Sequence, residues 1–183
     1  MCIRDSTDAD LNTIGQSRPP PRPPSFRNAL TQNVVSGHSM VMDPAALDIV
    51  RQAGRPHAIP YHDWWLYQLI SGAGGHIHVD TARLIRYRQH GGNAMGAHDG
   101  LRASLERVGQ VLGRTYGGWI AANVAALSRV DRLLTEENRA LLGAVRAAPH
   151  GPARALTLGR LGLYRQTRIA TASFYLAAAL GRV

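Results

Sequence analysis

Apolar and polar positions divide the chain into two regimes. Up to about residue 100 the apolar residues come in short bursts broken by Pro and Gly, and beyond that they recur at helical spacing. In the first regime, Asn33-Val-Val-Ser-Gly-His-Ser-Met-Val-Met42 reads as a strand interrupted at Gly37. Asp43-Pro44 supplies an N-cap followed by Pro at the first helical position, which predicts a short helix to about Gly54 carrying Ala45, Leu47, Ile49 and Val50. After the turn from Pro56 to Pro60, His62-Asp63-Trp64-Trp65-Leu66-Tyr67-Gln68-Leu69-Ile70 predicts a second helix, ending at Gly72-Ala73-Gly74-Gly75. His76-Ile77-His78-Val79-Asp80 and Leu84-Ile85-Arg86-Tyr87-Arg88 read as two short strands.

In the second regime Leu101, Leu105, Val108 and Leu112 form one helical stripe, and Ile120, Leu127, Val130 and Leu134 another. Thr135-Glu136-Glu137 starts a third helix holding Leu141, Leu142 and Val145, and Pro149-His150-Gly151-Pro152 stops it before a mostly helical tail. Met1-Cys2-Ile3-Arg4-Asp5-Ser6 fits none of these elements and is read as a non-native leader, outside fold reasoning. The expected layout is therefore a leader over 1–6, an α/β piece over 7–100 and an α-helical region over 101–183. Arg18-Pro-Pro-Pro-Arg-Pro-Pro24 is an extended connector, with a ligand for SH3-type domains as the functional alternative.

Composition narrows the class. Hydrophobic residues make up 45% and charged residues 18% of the 183, which excludes a wholly disordered chain. No apolar run approaches the ~18 residues of a spanning helix, and the N-terminus has no apolar core of a secretory leader. One cysteine, Cys2, excludes an intramolecular disulfide and a cysteine-based zinc site. All 21 basic residues are Arg. Residues 101–183 carry 12 of them against 4 acids, so +8 of the net +9 lies there. That asymmetry points to an anionic surface or ligand for the helical half, either nucleic acid or an anionic membrane. Arg154, Arg165 and Arg168 fall on one predicted helical sector, although Gly159 and Gly162 weaken that helix. Helices that simply pack on the first region are the alternative. Against nucleic acid, no DNA- or RNA-binding motif is present and no basic run interleaves with aromatics.

The residues that carry chemistry cluster between Asn33 and Ala97: Asn33-Val-Val-Ser-Gly37-His38, His62-Asp63-Trp64-Trp65, and Tyr87-Arg88-Gln89-His90-Gly91-Gly92-Asn93-Ala94-Met95-Gly96-Ala97. Moving a sugar from a nucleotide diphosphate to a hydroxyl with inversion needs a carboxylate to take the acceptor proton, a cation for the departing diphosphate and a platform for the sugar ring. Asp63 stands where a helix dipole favours a carboxylate, and it reads equally well as a cap. Trp64 and Trp65 offer apolar faces, although adjacent positions diverge by about 100° on a helix, so one of the two is expected in the core. Arg86 and Arg88 alternate on one strand as bidentate phosphate donors. His90 is either a structural histidine or a contact to a metal-bound diphosphate. His76 and His78 share one face of a predicted strand, but no third ligand stands at useful spacing.

In order, spacing and residue type these segments resemble the C-terminal half of the catalytic domain of bacterial family 2 glycosyltransferases, the rhamnosyltransferase-like branch. The resemblance begins near Thr7-Asp8-Ala9-Asp10-Leu11 and covers most of the chain. It implies part of a GT-A fold followed by helices, with Asp63 as general base. It places His62, Trp64, Trp65, Asn33, Gly37, Arg86, Arg88 and Asn93 at the substrates and His90 at a divalent metal, Mg2+ or Mn2+. The implied donor is a nucleotide-sugar such as dTDP-rhamnose, and the implied acceptor is a glycan or lipid-linked chain of a surface polysaccharide or O-antigen. The implied setting is the cytoplasm, with peripheral attachment to the inner face of the plasma membrane as a further expectation. Asp8-Ala9-Asp10 is not the family's metal-binding Asp-x-Asp, because no apolar strand leads into it. On this reading the nucleotide-binding half lies outside the chain, which alone is expected to have little or no activity.

Overall fold

A computed structural model describes residues 2–88 and 113–183. The described residues form a mixed α/β structure with three strands, seven α-helices and two 3-10 turns. Strands β1 (Cys2–Thr7), β2 (Thr13–Gln16) and β3 (Asp80–Arg88) make one sheet in the order β2-β1-β3, antiparallel between β1 and β2 and parallel between β1 and β3. The helices are α1 (Phe26–Ala29), α2 (Pro44–Ala53), α3 (His62–Gly72), α4 (Arg114–Ser128), α5 (Glu136–Ala147), α6 (Pro152–Arg160) and α7 (Arg168–Ala179).

Several elements follow from their capping chemistry. Asp43 accepts the Ala46 N–H at 2.7 Å and starts α2 at Pro44. Thr135 accepts the Asn138 N–H at 3.3 Å and starts α5, whose Leu141, Leu142 and Val145 are all buried. Between β1 and β2, Asp8 holds the turn: Oδ1 accepts the Asp10 and Asn12 amides, each at 2.9 Å, and Oδ2 accepts the Asn12 side chain at 3.1 Å. These bonds hold the Asp8 carboxyl below its ordinary pKa.

Other expectations are corrected. Residues 2–7 are the middle strand of the sheet rather than a segment outside the fold, since backbone groups build a ladder whatever the side chains, and this strand leads directly into Asp8-Ala9-Asp10, which removes the ground on which that segment was set aside. Asn33 to Met42 forms no strand. Asn33 Oδ1 accepts the Val35 amide at 3.1 Å, and a 3-10 turn covers Gly37–Ser39, so local bonds satisfy groups a ladder would use. His76 to Val79 lies outside any strand, whereas the strand predicted over Leu84–Arg88 forms and starts earlier, at Asp80, as β3. The stripe from Ile120 to Leu134 is buried throughout, but α4 ends at Ser128, and Val130 and Leu134 flank the 3-10 turn Asp131–Leu133. Arg154, Arg165 and Arg168 do not share a sector: Gly162, at φ 71°, separates α6 from α7, and Arg165 is buried between them. The stripe beginning at Leu101 lies outside the described residues.

One main core joins both parts of the sequence. Phe26, Leu30, Trp64 and Leu69 pack in the same cluster as Leu127, Leu142, Leu158 and Phe174. Residues 22–32 are laced to residues 164–166 beside it. Asn28 Nδ2 donates to the Tyr164 carbonyl at 3.0 Å, and its Oδ1 accepts the Tyr67 hydroxyl and the Gln166 side chain, each at 3.0 Å. Tyr116 donates to the Thr31 carbonyl at 2.5 Å while the Arg165 guanidinium lies over its ring, 4.8 Å from the centroid. Burial pushes the Tyr67 and Tyr116 phenols well above their ordinary pKa, which keeps both as hydrogen-bond donors. The Arg18 to Pro24 connector is tied into the same network by Arg22, whose amide donates to Gln166 and whose guanidinium covers the Tyr164 ring.

Candidate functional site

The N-terminus of α3 carries the chemistry. Its first turn presents His62, exposed, and Asp63, half-buried. The Trp64 N–H donates to Asp63 Oδ1 at 2.8 Å, and the Gly37 N–H approaches Oδ2 at 3.4 Å. The Trp64 amide and the start of the helix fix the orientation of the carboxyl group. The capping reading is corrected: α3 begins at His62 with Tyr61 at its N-cap, so Asp63 stands inside the first turn and does not cap the helix.

Gly37 is required by close approach rather than by its dihedral angles. A Cβ there would lie 2.4 Å from His62 Nε2, so only glycine lets the imidazole lie on this turn. The next residue, His38, stacks on Tyr87 of β3 with ring centroids 5.0 Å apart and planes at 25°. The structure thus brings together Gly37, His38, His62, Asp63 and Tyr87, drawn from all three sequence segments. The His38–Tyr87 pair is the contact that sequence reasoning did not assign, although both residues lie inside the quoted segments.

One further expectation for this site is corrected. Trp64 and Trp65 are both core residues, 2% and 3% exposed, and the Trp64 indole donates to the Ala29 carbonyl at 2.7 Å. No sugar platform is formed by either ring, because α3 is enclosed on more than one side by α1, α2 and α4. Arg86 and Arg88 are exposed on β3, where alternation along the strand puts them on the face opposite Tyr87. Asn33 Oδ1 accepts the Val35 amide within its own turn. His90 and Asn93 lie outside the described residues. His76 and His78 stand in the connector before β3 and line a cavity of about 240 Å³ with Val35, Met40 and Tyr67.

Among the described residues no three His, Cys, Asp or Glu side chains group as a metal site. No helix among them is long and apolar enough to cross a membrane. The chain matches no protein-family profile, no curated protein and no solved structure.

Replacing Gly37 by Ala is expected to swing the His62 ring away while leaving the fold in place. The neighbour in conflict is the far end of an exposed side chain, which moves more cheaply than backbone. His62 ring-proton resonances should shift, and Tm should fall by no more than about 2–4 °C, the equivalent of ~1 kcal/mol in a chain of this size. An unmoved His62 would contradict the packing described.

Proposed function

We propose that the chain is the acceptor-side part of an inverting glycosyltransferase of GT-A type, which moves a sugar such as rhamnose from a nucleotide-sugar to a hydroxyl of a glycan or lipid-linked acceptor. The observation that carries this reading is the Asp63 carboxylate. It is half-buried at a helix N-terminus and oriented by the Trp64 and Gly37 amides, with His62 beside it.

In the reaction the acceptor hydroxyl gives its proton to an Asp63 oxygen as its own oxygen forms a bond to the anomeric carbon. The bond from that carbon to the diphosphate oxygen breaks on the opposite face, and the nucleoside diphosphate leaves with the electron pair. His62, exposed in the first turn of α3, supplies a hydrogen-bonding edge for a sugar hydroxyl. The divalent metal implied by the resemblance is expected at His90, and no step here is routed through it. Nucleotide-sugars are cytoplasmic metabolites, so the reading places the reaction on the cytoplasmic side.

The test is sugar transfer by the product of the complete gene, supplied with dTDP-rhamnose and a panel of other nucleotide-sugars. A product whose anomeric configuration is inverted relative to the donor, read by proton NMR, is expected. Retention of configuration, or no transfer from any donor, would overturn the proposal.

A further inference from the structure

The helical half concentrates its charge around one groove. Arg129, Arg146, Arg154 and Arg182, with His150, rim a groove of about 760 Å³ whose apolar lining includes Ile120, Val124 and Val145. Among the described residues no acidic side chain lines it. Among them, too, none of these four arginines is ion-paired, whereas Arg27, Arg51 and Arg83 each have a carboxylate partner. Arg154 is half-buried: its Nη1 donates to the Ala148 carbonyl at 3.1 Å, and its Nε is buried without a partner. Burial lowers its pKa from the ordinary value, which marks a charge that an anion in the groove would stabilise.

A second observation says what kind of anion. On α7 and its C-cap, Ile169, Leu176 and Leu180 are 75%, 52% and 60% exposed. Their spacing puts them on one face of the helix. Leu180 runs directly into Gly181 and Arg182 of the groove wall, so the apolar ridge ends at the basic rim. A groove for a free anion or a nucleic-acid backbone has no use for such a ridge. The boundary between phospholipid headgroups and acyl chains matches both parts.

We propose that this groove binds the phosphate of an anionic phospholipid headgroup while Ile169, Leu176 and Leu180 enter the acyl boundary, docking the chain on an anionic bilayer. The inference does not rest on the reading of Asp63, and it replaces the sector of Arg154, Arg165 and Arg168 expected from sequence.

Co-sedimentation with vesicles tests it. The chain should pellet with equal parts phosphatidylcholine and phosphatidylglycerol, and stay in solution with phosphatidylcholine alone. Arg129→Ser and Arg146→Ser, both at exposed positions, should each weaken binding about fivefold, the equivalent of ~1 kcal/mol per arginine near the surface. Ile169→Ser with Leu176→Ser should weaken it further, and all these variants should keep the wild-type Tm. Binding unaffected by anionic lipid, or by these substitutions, would overturn the proposal. So would saturable binding of inorganic phosphate or of duplex DNA without binding to the anionic vesicles.

Discussion

Trp64→Ala is expected to lower Tm by on the order of 10 °C. The indole is 2% exposed, its ring lies 5.8 Å from Tyr116, and its nitrogen donates to the Ala29 carbonyl at 2.7 Å. Truncating a buried Trp costs about 3–5 kcal/mol in lost transfer energy and residual cavity. For a chain of this length each kcal/mol moves Tm by roughly 2–4 °C. Trp64→Phe separates the two contributions. It keeps most of the ring and loses the hydrogen bond, but it leaves no orphan acceptor, because Gln68 Nε2 also donates to the Ala29 carbonyl at 3.0 Å. The loss from the bond itself is then about 0.5–1.5 kcal/mol. Thermal denaturation followed by circular dichroism reads both variants. A Tm for Trp64→Ala within about 2 °C of wild type, no more than the shift of ~1 kcal/mol, would remove the indole from the core and restore it as a candidate sugar platform.

The Trp pair also shows how far the sequence could be read. A 100° step between adjacent positions predicts one buried and one exposed ring only when a helix has a solvent face. Helix α3 buries Trp64, Trp65 and every residue from Tyr67 to Gly72, so the rule loses its premise. Where the controlling interaction is local, the sequence was sufficient: Asp43 before Pro44, and Thr135 before Glu136 and Glu137, start helices where their side chains cap them. Where it is distant, nothing in the local pattern announced it. Gly37 reads as a strand interruption, and its role emerges only when His62, 25 positions later in the sequence, lies against it. The ties from Asn28 to Tyr164 and Gln166 join parts of the sequence read as separate regions, which is why the change of pattern near residue 100 does not divide the core. Arg86 and Arg88 do share one strand, as their alternation predicts.

Asp63→Asn is expected to cut sugar transfer by about 10²–10⁴, the range a positioned general base contributes, or roughly 3–5 kcal/mol of barrier. An amide has nearly the shape of the carboxylate but does not take up the acceptor proton, so the loss falls on the chemical step. The substitution also has a structural cost that can be placed. The side-chain amide keeps an oxygen for the Trp64 N–H but turns its NH2 toward the Gly37 N–H at the second position, donor against donor. That contact is the longer of the two and the site is half-buried, so the stability loss stays near ~1 kcal/mol. Asp63→Glu retains the base but moves it by a methylene, and should fall between wild type and the amide.

The deciding measurement is the single-turnover transfer rate of the complete gene product at saturating donor, wild type beside Asp63→Asn. A carboxylate that takes the acceptor proton predicts a rate at least about a hundredfold lower in the variant, with Tm within a few degrees of wild type. Equal rates in two equally folded proteins would show that the carboxylate in the first turn of α3 has no part in the chemistry.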